Sequence, residues 1–128
     1  MLKKTINYTD YNGVEREEDF YFNLTEAEIA KMELSTVGGL AEMIKRVVSK
    51  QDVPAIIKIF EDLINKAYGE KSSDGKRFVK SPELSEAFMQ TEAYSVMFME
   101  MVTNAEKAAE FVNGIIPANA KTALETTN

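Results

Sequence analysis

The sequence predicts a mostly α-helical domain of the α+β class, a small bundle of about five helices with an N-terminal β-hairpin. Three observations carry this expectation. Apolar residues alternate on either side of Asn12-Gly13, two capping boxes each open an apolar run, and a stripe at helical spacing extends from Val53 to Tyr68. At 128 residues the chain fits one domain, read as residues 1–117, with 118–128 as a flexible tail lacking periodicity.

The hairpin is expected at about residues 4–22. Ile6 and Tyr8 alternate with polar neighbours, Asn12-Gly13 is a strong tight-turn signal, and Phe20 and Phe22 alternate after it. The strands are read as Lys4 to Tyr11 and Val14 to Phe22, with the acidic run Glu15 to Asp19 as a solvated strand face. Two strands are marginal alone, so the aromatic face must lie against the helices that follow.

Thr25 and Glu28 form a capping box, and Leu24 with Ile29 supplies the hydrophobic staple, so a first helix starts here and runs to about Leu34. Gly38-Gly39 separates it from a second helix bearing Leu40, Met43, Ile44, Val47 and Val48. Asp52 and Pro54 open a third, whose stripe includes Ile57, Phe60, Leu63, Ile64 and Ala67, and Gly69 is read as its C-cap. Ser81-Pro82 is an N-cap with proline at the first helical position, from which one long helix is expected to reach about Val102. Thr103 and Glu106 box a last helix that Pro117 stops.

Composition narrows the function. Hydrophobic residues at 45% and charged residues at 28% suit a folded soluble protein, and no window approaches the roughly 18 apolar residues of a membrane span. The Met-Leu-Lys-Lys start leads into polar sequence, so the protein is expected to be intracellular. A net charge of -6 argues against a general nucleic-acid binder, which needs lysine and arginine to neutralise phosphates. Without cysteine or histidine there are no thiolate or imidazole ligands, thiol nucleophiles or imidazole bases; no cofactor or metal is expected, and an enzyme ranks last.

The stretch Ala67 to Ser81, AYGEKSSDGKRFVKS, is the one that looks like chemistry. Gly69-Glu70-Lys71-Ser72 superficially suggests a phosphate loop, but the earlier glycine, a preceding buried strand and a helix starting at the lysine are absent from the pattern. Ser73-x-x-Lys76 matches a penicillin-enzyme motif only formally, since Asp74-Gly75 favours an exposed turn, and one aspartate beside one glycine is no calcium loop. Residues 69–81 nonetheless carry a net +2 in a chain of -6, from Lys71, Lys76, Arg77 and Lys80 against Glu70 and Asp74. They read either as a basic docking loop or as a solvated connection.

The helix after Ser81 holds four of the seven methionines. Projected at 100° per residue, Leu84, Ala87, Phe88, Tyr94, Phe98, Met99, Met101 and Val102 fall in a stripe about 160° wide, enough to face a core. Met89, Ala93 and Val96 then lie on the far side, with Met97 at its edge. That second face either binds a partner, a use to which methionine is suited, or is covered by the chain's own bundle.

LTEAEIAKMELS, GGLAEMI, KSSDGKRFVKSPELSEAF, TEAYSVMF and AAEFVNGIIPA together resemble the tail assembly chaperones of long-tailed bacteriophages and prophages, over roughly three quarters of the chain. The resemblance implies a non-enzymatic role in the host cytoplasm during assembly, with the protein absent from the mature virion. It implies the tape-measure protein and the tail tube protein as partners, the former kept soluble until the tube assembles around it. The alternatives are a structural tail component retained in the virion and a small acidic phage protein that binds a host factor.

Overall fold

The N-terminal hairpin forms as its alternation demands. In the computed structural model, which describes residues 1–35 and 53–116, strand β1 spans Leu2–Thr9 and β2 spans Glu15–Phe22, paired antiparallel from Leu2↔Phe22 to Thr9↔Glu15. Gly13 in the turn takes φ 81°, a conformation glycine adopts without steric cost. Asp10 organises the turn, its Oδ1 accepting from the N–H groups of Asn12 at 2.9 Å and Val14 at 3.0 Å. Its Oδ2 accepts from Arg16 Nε at 2.5 Å. Period two then buries Ile6 and Phe22 on one face and leaves Thr5, Asn7, Glu17 and Asp19 exposed on the other.

The stretch read as a connection supplies two further strands, β3 Tyr68–Lys71 and β4 Phe78–Val79, giving an antiparallel sheet in the order β1-β2-β3-β4. The fold is therefore mixed α+β and not mostly helical: the hairpin lays its aromatic face against helices as expected, Phe20 and Phe22 on Phe88 and Phe22 on Phe111, but it is also half of a four-stranded sheet. Strands of four and two residues are too short to register as alternation. Gly69, read as a C-cap, is a strand residue opposite Tyr21. A Cβ there would come within 2.7 Å of both Phe78 Cε2 and Val79 O, so glycine is what lets β3 and β4 approach. The turn between them has Gly75 at φ 74°, as Asp74-Gly75 predicts.

Five helices lie among the described residues: α1 Glu26–Ser35, α2 Val53–Ala67, α3 Pro82–Met89, α4 Glu92–Thr103 and α5 Ala105–Ile115. The first capping box is present in both directions, Glu28 N–H to Thr25 Oγ1 at 3.1 Å and Thr25 N–H to Glu28 Oε1 at 2.9 Å. Its staple residues Leu24 and Ile29 are buried. Ser81 caps α3 through Leu84 N–H at 3.1 Å. The last helix is capped one residue later than expected, by Asn104 accepting from Glu106 and Lys107 N–H, while Thr103 closes α4 by donating to Met99 C=O at 2.6 Å. The helix expected over 40–48, Asp52 and the tail 118–128 lie outside the described residues.

The single long helix expected after Ser81 is two. Thr91 interrupts it, its Oγ1 accepting from Tyr94 N–H at 3.2 Å as the N-cap of α4 and donating to Phe88 C=O at 2.7 Å at the end of α3. Helices and sheet meet at Phe22, whose ring lies 5.7 Å from Tyr68, 5.7 Å from Phe88 and 5.4 Å from Phe111. Backbone bonds at the same place, Asn23 N–H to Ala67 C=O at 2.8 Å and Leu24 N–H to Ile115 C=O at 3.0 Å, occupy carbonyls at the C-terminal ends of α2 and α5.

Candidate functional site

A proline at the first helical position and a serine cap orient α3 so that two of its faces do different work. Phe88 points into the core, while Pro82, Ser85, Glu86 and Met89, at i, i+3, i+4 and i+7, line a groove of about 810 Å³. Across from them stand Glu28 and Lys31 of α1 and Asn65 and Lys66 of α2, and Leu24, just before α1, completes the apolar floor with Pro82 and Met89.

One end of the groove is fixed by an ion pair. Lys80 Nζ donates to Glu28 Oε2 at 2.6 Å and to Asn23 C=O at 2.6 Å, tying the β4–α3 junction to the start of α1. Burial works to raise the Glu28 pKa, but the hydrogen bond from Lys80, the Thr25 N–H and the lysine charge outweigh it and hold the carboxyl below its ordinary value. On the opposite wall, Asn65 C=O accepts from Ser85 Oγ at 3.1 Å, whereas Asn65 Oδ1 is buried with no donor.

The groove unites two residues that the sequence had placed in separate candidate sites, Met89 and Lys80. It does not unite the others. Ala93 and Met97, assigned to a partner-binding face, are both 0% exposed and belong to the core with Met101. Val96 is 40% exposed and Met99, expected in the core stripe, is 54% exposed. The physical reason is the interruption at Gln90-Thr91, since a projection carried unbroken from α3 assigns the faces of α4 wrongly.

The basic loop is also divided. Lys80 is engaged internally, Lys71 lies with its Nζ 4.5 Å from the Tyr21 ring centroid, and Lys76 and Arg77 are exposed at the β3–β4 turn. The turn is held by Asp74 Oδ1, which accepts from Ser72 Oγ at 2.6 Å and Lys76 N–H at 3.0 Å; the Ser72 hydroxyl bond comes first in lowering the Asp74 pKa.

Sequence reasoning missed Lys31, Asn65, Lys66 and Ser85. Their signal was the polar sides of α1 and α2 and the i, i+3, i+4, i+7 set on α3, which gains meaning only once α1, α2 and α3 are seen to face one another. Among the described residues, no group of three or more histidine, cysteine, aspartate or glutamate side chains is placed to hold a metal ion. No helix among them is long and apolar enough to cross a membrane.

The arrangement has the chemistry of binding: an apolar floor, charged rims and a fixed end. A family model described as phage tail assembly chaperone matches residues 1–127. No curated protein and no solved structure matches the chain.

Proposed function

Since the chain belongs to the phage tail assembly chaperone family, we propose that it binds the tape-measure protein, keeps it soluble and assists assembly of the tail tube around it, without catalysis. The observation that carries this reading is the groove between α1, α2 and α3, with Leu24, Pro82 and Met89 at its floor. A long protein with apolar segments is an aggregation hazard until its own partner covers it, and a groove on a carrier of net charge -6 covers such a segment while keeping the complex dispersed. Away from the groove, exposed Val96 on α4 offers a separate apolar contact, and exposed Lys71, Lys76 and Arg77 an electrostatic edge, toward a tape-measure or tube subunit. In this reading the protein works in the host cytoplasm and leaves before the virion is complete.

Co-expression with the tape-measure protein of the same phage tests it. The soluble fraction of the tape measure should rise with the wild-type chain and fall back when Met89→Gln is introduced, while the unfolding temperature of the chaperone stays close to wild type. No gain in solubility, or recovery of the chain from purified virions by mass spectrometry, would overturn the reading.

A further inference from the structure

The rims of the groove differ in sign, and this narrows its occupant. Lys31 and Lys66 stand on the α1 and α2 sides, Glu86 on the α3 side, and Glu28 and Lys80 are spent on each other. Lys66 and Glu86 are both exposed, and neither makes an ion pair within the described residues. Three lysines and two glutamates line the groove, one net positive charge in a chain of -6.

Resting on the reading of the chain as a tape-measure binder, we propose that the groove takes an amphipathic helix with an acidic edge toward Lys66 and a basic edge toward Glu86. Its apolar stripe meets Leu24, Pro82 and Met89. Apart from Leu24, Lys80 and Ser81 the walls are helices whose backbone groups are largely satisfied internally, so an extended segment would find few N–H and C=O partners along them. A helix satisfies its own backbone and needs only side-chain complementarity. The opposed rims then set which way round the segment lies, because like charges placed across from each other are penalised.

Three synthetic helical peptides test this, with a common apolar stripe and edges that are Glu/Lys, Glu/Glu or Lys/Lys. They are titrated against the full chain at low salt by fluorescence anisotropy. The mixed peptide should bind roughly threefold or more tighter than either uniform one, the scale expected of one or two exposed pairs. Glu86→Lys should move the preference to Glu/Glu, Lys66→Glu should move it toward Lys/Lys, and Met89→Gln should weaken all three. Equal binding of the three peptides, preferences that ignore both charge reversals, or no binding at all would overturn the proposal. Tape-measure solubility is scored in parallel with the wild-type chain. Failure there sinks the proposed function whatever the peptides do, and peptide failure with solubilisation intact sinks the groove assignment alone.

Discussion

Lys80 joins two parts of the fold that are 52 residues apart in sequence, and Glu28 on the other side of that bond also closes the capping box of α1. Because its folded pKa is depressed from 4.5, the stability Glu28 contributes is present above that value and is lost as pH falls through the lower folded one. Urea midpoints should therefore decline below about pH 4.5. Glu28→Gln, which preserves the box, should make that decline shallower; it will not abolish it, since the Asp10 and Asp74 pKa values are lowered too. An identical pH profile for the variant would contradict the assigned role. Gly69→Ala places a methyl group against a backbone carbonyl that has little room to yield, and should cost about 1–3 kcal/mol in urea unfolding. Asn65→Leu removes a buried acceptor that has no donor, so it should be neutral or stabilising by up to about 1 kcal/mol.

Between α3 and α4 the sequence is legible residue by residue and misleading as a whole. Thr91-Glu92 offers a hydroxyl before an acidic first turn, which is an N-cap signal, but the apolar run on both sides hides it. Capping and turn chemistry is local, which is why the Thr25 box, the Ser81 cap and the turns at Gly13 and Gly75 could all be read in advance. Face assignment along α4 depends on where the helix starts, and β3 and β4 depend on an edge that β2 provides from more than forty residues earlier, so neither was written in any short window. Only Met89 and Lys80 of the groove were legible, because its remaining walls come from three helices distant in sequence. The consequence for α4 is measurable. Met97→Gln should lose about 2–4 kcal/mol by placing an amide where a fully buried thioether sits, whereas Val96→Ser should stay within about 0.5 kcal/mol. Comparable small losses at both positions would show that Met97 is not core.

At the scale of the molecule, the Phe22 ring touches aromatic side chains from β3, α3 and α5, so one residue of the N-terminal hairpin couples it to a strand and two helices of the C-terminal half of the chain. Phe22→Ala should cost about 3–5 kcal/mol, a large part of the 5–15 kcal/mol available to a domain of ordinary stability, and near-UV and far-UV circular dichroism should report its loss together. Separate transitions would mean that hairpin and helices are energetically independent. The same neighbourhood sets a timetable for biosynthesis. Leu24 N–H waits for Ile115 C=O, and Leu2 is the side chain that sits against Gly114, so residues in and just after the hairpin find final partners that are translated about ninety or more residues after them. At roughly 5–20 residues per second, several seconds separate the emergence of the hairpin from that of the helix that covers it. A protein of a chaperone family thus passes through an interval on the ribosome in which its own aromatic face is uncovered.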